Sequence, residues 1–354
     1  MNLYFYLVAF IISLFTVPII VYIARKKNIL YQPNNRSSHS TPIPAFGGIA
    51  IFLGFSIGIL FLNHFDLHQY WIILAAAAFI FTLGLIDDLI VIRSLKKLII
   101  LIAISIGVSF LDGLTITNLH GLFQIYEIPK YIGIPITALV VLVVINAINL
   151  IDGIDGLASG IGILNLGFYA YSFYMLDNFH FSSFNLIMVS SILAFLIYNL
   201  SGYRFKIFMG DSGSLLLGFI ISISILRFLN IEGATIDGSI QVSVVTVFSL
   251  LIVPVFDLLY VSIKRASLGL KIYIPDKRHI HHTLLKLGFS HKLASLVLVM
   301  YTIVFFVIGQ LLIAHLYCCI ALGILLILAV ILWTIPEYII NKNPRKYVLK
   351  RNGE

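Results

Sequence analysis

Long apolar stretches alternate with short polar segments along almost the whole chain. A helix that crosses the hydrocarbon core of a bilayer needs about 17–25 predominantly apolar residues. On that criterion the pattern predicts eleven membrane-spanning helices and no long hydrophilic segment, so residues 1–354 are expected to form a single all-α polytopic domain. The predicted spans are roughly 3–23, 46–62, 70–86, 98–111, 132–150, 157–176, 184–200, 214–229, 240–263, 294–314 and 317–335.

Composition excludes a soluble protein. Of the 354 residues, 60% are hydrophobic and only 11% are charged, whereas soluble domains carry about 25% charged residues. The first apolar stretch has no basic residue before it and is followed by Arg25, Lys26 and Lys27. This order is typical of an uncleaved anchor with the N-terminus outside, not of a signal peptide.

The positive charges are distributed very unevenly about the predicted membrane. Threading eleven spans from an outer N-terminus leaves only Lys130 and Arg227 on the outer side, among 23 Lys and Arg residues. Such a bias supports both the count and a cytosolic C-terminus. The net charge of +8 is thereby explained by topology and anionic lipid. Nucleic acid is not implied, because the sequence has no soluble basic domain.

A dense polar segment, 146–160, follows the fifth apolar run. Four polar residues recur in it at intervals of three: Asn146, Asn149, Asp152 and Asp155. On a helix this spacing forms one slowly drifting stripe, and Gly153 and Gly156 are expected to break the helix within it. A charge near the bilayer centre costs about 2.5–3.5 kcal/mol, so the segment predicts an anion or metal site at the membrane surface. The alternative is a helix end with a glycine-rich turn.

Two further acidic motifs fall on the predicted inner side. Asp87 and Asp88 are adjacent, and neighbouring carboxylates repel unless a cation intervenes, which suits Mg²⁺. Asp211 is followed by Ser212 and Ser214 at the expected start of a helix, where free N–H groups can bind an anion. The alternatives are a polar helix end balanced by following lysines for the first motif and a plain N-cap for the second.

A basic histidine loop completes the inner set. Arg278, His279, His281 and His282 lie within five residues of each other. They could bind zinc or a diphosphate, but zinc sites usually add Cys or spaced ligands, so phosphate oxygens fit better. A solvated basic loop is the alternative. Acids, phosphate donors and a basic loop on one surface predict phosphoryl transfer between a phosphorylated lipid and a soluble donor.

Six motifs together resemble a known enzyme family. They are R-S-S-H-S-T-P-I-P-A-F-G-G at 36–48, G-L-I-D-D-L at 84–89, N-A-I-N-L-I-D-G-I-D-G-L at 146–157, G-D-S-G-S at 210–214, P-V-F-D at 254–257 and H-I-H-H at 279–282. In this order the chain resembles the polyprenyl-phosphate N-acetylhexosamine-1-phosphate transferases of glycosyl transferase family 4. The H-I-H-H motif favours the GlcNAc-1-phosphate branch of this family over the peptidoglycan branch.

The resemblance implies a cytosolic catalytic cleft in a bacterial inner membrane, a UDP-sugar donor, undecaprenyl phosphate as acceptor and Mg²⁺ as cofactor, with Mn²⁺ as an alternative. The roles it implies are these: Asp87 and Asp88 orient or deprotonate the lipid phosphate; Asn149 and Asp211 hold the metal; Asp152 and Asp155 lie near the uridine; His279, His281, His282 and Arg278 meet the diphosphate or sugar; and Lys97, Asn146, Ser212 and Ser214 bind substrate.

Departures from the family pattern leave the donor sugar open. Thr283 follows the histidines where Arg is frequent, and Ala45 and Phe46 stand where Arg and Gly are common. FucNAc, QuiNAc and phospho-MurNAc-pentapeptide therefore stay as alternatives to GlcNAc. A transporter is the rival from another class, but transporters place their sites near the midplane between repeats. The acids here gather at one end of the spans. The oligomeric state is open, a homodimer included.

Overall fold

A computed structural model describes residues 3–30, 42–62, 67–90, 92–202, 204–231, 235–236, 240–270 and 278–342. Residues 36–41 of the first motif lie outside the described residues. The helices are α1 (Leu3–Lys26), α2 (Gly47–Leu60), α3 (Leu67–Ile90), α4 (Ser94–Ser109), α5 (Lys130–Ile151), α6 (Leu157–Met175), α7 (Phe179–Asn199), α8 (Gly210–Leu229), α9 (Val244–Leu250), α10 (Ile252–Ser267), α11 (Ile280–Lys286), α12 (His291–His315) and α13 (Cys318–Lys342). Two small antiparallel hairpins, which the sequence pattern did not predict, join β1 (Asn118–Leu122) to β2 (Ile125–Glu127) and β3 (Thr235–Ile236) to β4 (Ile240–Gln241).

The architecture is that of a polytopic membrane protein, as predicted. Within the described ranges, seven helices are long and apolar enough to cross a membrane, or eight if the bent pair α9–α10 forms one span. The predicted count of eleven is not supported. Every predicted stretch contains a helix, but α2 has only 14 residues and α4 only 16. At 1.5 Å per residue, α2 extends about 21 Å, which is short of the hydrocarbon thickness.

The predicted span 240–263 is not one straight helix. α9 and α10 meet at Leu251 at an angle of 82°. Pro254 lies in the first turn of α10, where its missing N–H is tolerated but where its ring prevents a regular helix from continuing backwards. The bend changes the direction of the helix axis, and Asp257 on α10 contacts the histidine loop.

α8 is the central helix. Seventeen of its 20 residues are buried, and it packs against α2, α3, α5 and α6. A helix that is hydrophobic on all sides is stable only when protein or lipid surrounds it completely. Here protein surrounds it, so the helices packed around α8 fix the position of its first residue.

The contact between α3 and α8 depends on Gly84. A Cβ atom added to Gly84 would lie 2.5 Å from the backbone oxygen of Asp211 and 2.5 Å from Cα of Ser212. Only a residue without a side chain permits this approach. Asp87 and Asp88 follow Gly84 by three and four residues, about one helical turn, so they are delivered to the start of α8.

The helices that carry the acidic motifs and their partners contribute alternate ends to one end of the bundle. α3 and α5 contribute residues from their C-terminal ends, whereas α4 and α8 contribute residues from their N-terminal ends. The chain therefore reverses direction between each of these neighbours. All the acidic motifs consequently meet at one end of the bundle.

Candidate functional site

The ammonium group of Lys97 bridges two carboxylates from different helices. Lys97 Nζ lies 2.8 Å from Oδ2 of Asp87 and 2.8 Å from Oδ2 of Asp211. Asn149 donates from Nδ2 to Oδ1 of Asp211 at 2.5 Å and to Oγ of Ser214 at 2.8 Å. Asp211 is thus the point at which α3, α4, α5 and α8 converge.

Asp88 has a different environment from its neighbour. Its Oδ1 accepts a hydrogen bond from the backbone N–H of Asp211 at 2.7 Å, and its Oδ2 accepts one from the N–H of Ser212 at 3.0 Å. A carboxylate at a helix N-terminus satisfies orphan donors and complements the helix dipole. These two N–H groups of α8 are therefore bonded within the protein, which departs from the prediction that they bind phosphate. The Ser212 and Ser214 side chains are fully buried.

The glycine-rich turn forms where the sequence predicted it. α5 ends at Ile151, α6 begins at Leu157, and Gly156 has φ +80°. Its N–H donates to Oδ1 of Asn199 at 2.7 Å. Within the turn, the buried Asp155 pairs with Lys206 Nζ at 2.5 Å, a partner that the sequence analysis missed.

Asp152, just beyond the end of α5, lies in a strongly negative environment. Burial first, and then the negative charges of Asp211, Asp88 and Asp155, raise the pKa of the Asp152 carboxyl well above its usual range. Asp88, Asp155 and Asp211 therefore lie close enough to Asp152 for their charges to act on it. A cation placed among them would favour the ionised form of Asp152.

The donor chemistry of this cluster suits Mg²⁺. Magnesium prefers carboxylate and amide oxygens together with water and substrate phosphates. Asp211 and Asn149 supply such oxygens, and the two carboxylates of Asp87 and Asp211 already share one cationic group, the Lys97 ammonium. In the part of the chain that the structure describes, no group of three or more Asp, Glu, His or Cys side chains is arranged to enclose a metal ion. Water and substrate oxygens would complete the coordination of an ion held by Asp211 and Asn149.

Asn146 does not join the cluster through a hydrogen bond that we observe. Its Nδ2 donates to the carbonyl of Leu142 at 2.7 Å, one turn back in its own helix. Its predicted substrate contact stays a prediction, whereas Asn149, three residues later, reaches Asp211.

The histidine loop is built on Asp257. Oδ2 of Asp257 lies 2.8 Å from Nδ1 of His279, and Oδ1 accepts the N–H of Ile280 at 2.9 Å and the indole N–H of Trp333 at 3.0 Å. Asp257 therefore accepts the first N–H of α11 and orients His279, the residue that precedes this helix. Trp333, near the C-terminal end of the chain, is a second residue that the sequence analysis missed.

The loop docks directly on the acidic turn. A Cβ atom at Gly153 would lie 2.5 Å from Nε2 of His281, so glycine allows the imidazole to approach the backbone. The His281 ring is parallel to that of His279, with 5.8 Å between centroids, and 4.3 Å from that of His282. Arg278 and His282 are partly exposed, whereas Thr283 is buried. The predicted basic loop and the predicted acidic turn are thus one surface.

His281 is expected to make stability depend on pH. Burial lowers the pKa of His281 to about 3. Below pH 6.5 this imidazole therefore binds a proton in the unfolded chain but stays neutral in the folded protein. The free energy of unfolding should be highest above pH 6.5 and should decrease as the pH is lowered, by about 2 kcal/mol between pH 6.5 and 5. Thermal unfolding of detergent-solubilised protein should show a flatter pH dependence for His281→Gln. The matched control, His315→Gln at an exposed position, should keep the wild-type slope, and equal slopes in both variants would contradict this account.

Comparison with known proteins adds an independent finding. Residues 70–229 match the model of glycosyl transferase family 4. The chain is 35% identical over 306 residues to the probable undecaprenyl-phosphate N-acetylglucosaminyl 1-phosphate transferase of Bacillus subtilis (strain 168). The matched segment covers 84% of this chain and 82% of that protein. It is 26% identical over 290 residues to the undecaprenyl-phosphate alpha-N-acetylglucosaminyl 1-phosphate transferase of Yersinia pestis (81% and 78% covered). It is 27% identical over 280 residues to the protein of that name from Escherichia coli (strain K12), with 77% and 73% covered.

Proposed function

Because this chain belongs to glycosyl transferase family 4, we propose that it transfers an N-acetylhexosamine-1-phosphate from a UDP-sugar to undecaprenyl phosphate. GlcNAc-1-phosphate is the moiety we favour, since the similar proteins are named for it. The observation that carries the proposal is the bridge of Lys97 between Asp87 and Asp211, with Asn149 on the same carboxylate. It combines a cationic group with ionised oxygens at one end of several helices.

In the proposed reaction, an oxygen of the lipid phosphate attacks the sugar-proximal phosphorus of the donor. The bond from that phosphorus to the bridging oxygen breaks, and UMP leaves with the bond electrons. Such transfers are accelerated mainly by positioning and by neutralising charge on the phosphoryl oxygens. Lys97 can hold the lipid phosphate while Asp87, bonded to the same ammonium, orients it or accepts its proton. Bound Mg²⁺, held by Asp211 and Asn149, would supply charge neutralisation for the diphosphate.

The donor would lie across the acidic turn and the histidine loop, which are in direct contact. We assign the uridine end to Asp152 and Asp155 and the diphosphate to the surface formed by His279, His281 and His282. His282 and Arg278 are the partly exposed members of the loop. Since Asp88 is bonded to the first N–H groups of α8, we assign it to holding Asp211 in place rather than to proton transfer.

We also propose an eleven-span topology with the N-terminus outside and the site facing the cytosol of a bacterial inner membrane. Two observations support it. Lys and Arg residues avoid the predicted outer loops, as the positive-inside rule requires. The helices that build the site present alternate ends to it, as expected if the short helix α4 also crosses. The lipid diphosphate-sugar would then start a cell-envelope polysaccharide on the inner leaflet.

The test uses purified full-length protein with labelled UDP-GlcNAc, Mg²⁺ and undecaprenyl phosphate. We expect UMP release and a labelled lipid product, both requiring the lipid acceptor. A Lys97→Met protein purified from the same host serves as the blank for contaminating activity. UMP release without lipid, or donor flux into vesicles without chemistry, would contradict the proposal and favour hydrolysis or transport. A panel containing UDP-FucNAc, UDP-QuiNAc and UDP-MurNAc-pentapeptide then identifies the donor, because each can replace UDP-GlcNAc in the same assay.

A further inference from the structure

A buried carboxylate links the last helix of the chain to the histidine loop. Asp257 on α10 contacts the indole N–H of Trp333 on α13 through Oδ1 and the imidazole of His279 through Oδ2, at 3.0 and 2.8 Å. The exposed fractions are 1% for Trp333, 1% for Asp257 and 5% for His279. Solvent therefore does not compete for these hydrogen bonds.

We propose, on the premise of the transferase function above, that Trp333 is a positioning residue for the reaction. Its N–H fixes the carboxylate of Asp257, and Asp257 in turn fixes the ring of His279. A partner on Nδ1 determines both the tautomer and the orientation of an imidazole, and it leaves Nε2, on the opposite side of the ring, for substrate. The ring of His281 is parallel to that of His279, so a rotation of the first ring would also disturb the second.

The indole of Trp333 is held in one plane. Phe256 packs against it with 5.0 Å between ring centroids and an interplanar angle of 74°. Phenylalanine at position 333 would remove the donor and keep an aromatic ring against Phe256, but it would also remove part of the buried indole and leave a cavity. Hydrogen bonds to charged groups are stronger than those between neutral groups, so removal of one of the donors should loosen the Asp257 carboxylate and the His279 ring.

The decisive comparison is between Trp333→Phe and Trp71→Phe. The chain contains two tryptophans, and Trp71 on α3 is 49% exposed, which makes it a matched control for the same chemical change. We expect kcat to fall about 10-fold in Trp333→Phe with KM for the UDP-sugar little changed. Trp71→Phe should stay within about twofold of wild type, since Trp71 is exposed and lies near the opposite end of α3 from Asp87 and Asp88.

A double variant separates positioning from packing. If Trp333 acts through Asp257, adding Trp333→Phe to Asp257→Asn should lower kcat no further, because the two residues belong to one chain of contacts. Additive losses would show that Trp333 only supports packing. Replacing the indole at position 333 by its sulfur isostere, benzothienylalanine, removes the N–H without changing the shape, and this covers the case in which Trp333→Phe does not fold.

Fluorescence gives a readout that does not depend on turnover. In the Trp71→Phe protein, Trp333 is the sole tryptophan, and its emission maximum should shift when Asp257→Asn is added but not when His315→Gln is added. An unchanged emission maximum, or equal kcat in Trp333→Phe and Trp71→Phe while wild type is active, would overturn the inference and leave the transferase proposal intact. Absence of UMP release by wild type would instead remove the transferase proposal and this role with it.

Discussion

Replacing Lys97 by methionine is expected to lower transfer on the order of 10³-fold. The substitution keeps the length of the aliphatic chain and removes the ammonium that lies 2.8 Å from both Asp87 and Asp211. Without it, two carboxylates face each other and one of them must bind a proton or move away. In the proposed reaction, the lipid phosphate would also lose its cationic partner. The measurement is the initial rate of UMP release at saturating donor and acceptor.

The adjacent residue provides the control. Lys96 is exposed, so Lys96→Met removes one positive charge from the same helix without touching the acids and should retain nearly full activity. Lys97→Arg keeps the charge but presents a planar guanidinium instead of a compact ammonium. Its activity should lie between those of Lys97→Met and Lys96→Met. Rates for Lys97→Met within about threefold of those for Lys96→Met would exclude the bridging role. Unfolding temperatures of all three proteins show whether a loss of activity reflects a loss of fold.

Gly84→Ala should lower activity about 10²-fold through displacement alone. The new methyl group would meet backbone atoms of Asp211 and Ser212 at 2.5 Å, and backbone cannot rotate away as a flexible side chain can. α3 must therefore shift away from α8 and take Asp87 and Asp88 with it. Overpacking of this kind also costs about 1–3 kcal/mol of stability, which a lower midpoint of thermal unfolding should show.

Gly107→Ala is the matched substitution for this experiment. Gly107 lies in α4, and a Cβ atom there would meet nothing within 4 Å. Alanine is favoured over glycine in a helix by about 0.5–1 kcal/mol, so this variant should be as active as wild type and slightly more stable. Equal activity in the two alanine variants would mean that the spacing of α3 and α8 does not set the geometry of the acids.

The sequence was sufficient to predict that Asp87 and Asp211, which share Lys97, lie on the same side of the bundle. Each of them lies at a boundary between an apolar run and a polar segment. Because successive runs reverse direction, those boundaries fall on one side of the bundle. The glycine-rich break after Ile151 was predictable for a local reason as well, since closely spaced glycines are poor continuations of a helix.

Adjacent acids could not be told apart from the sequence. Asp87 and Asp88 read as one motif, yet neighbouring residues on an α-helix point about 100° apart. Asp87 therefore meets Lys97 on α4, whereas Asp88 meets the first turn of α8. The environment of each carboxylate depends on which helix packs against which face of α3. A single sequence does not specify this packing.

The long-range partners were equally inaccessible. Lys206 and Asp155 are 51 residues apart, and Trp333 and Asp257 are 76 apart. A tryptophan in an apolar run, such as Trp333, is usually a packing residue. A lysine in a short basic loop, such as Lys206, is usually a solvated charge. The count of eleven spans stays a prediction for a related reason, since apolar runs as short as α2 and α4 do not reveal whether a helix crosses the membrane or is buried within the bundle.

The burial of α8 affects how the enzyme meets lipids of different length. Acyl chains that mismatch the hydrophobic length of a protein act on lipid-facing helices, which respond by tilting. Only six of the 25 residues are buried in each of α12 and α13, whereas α8 is buried along almost its entire length. A change in the acyl-chain length of the bilayer would therefore act first on these outer helices, while α8, which carries Asp211, would be held by the helices packed around it.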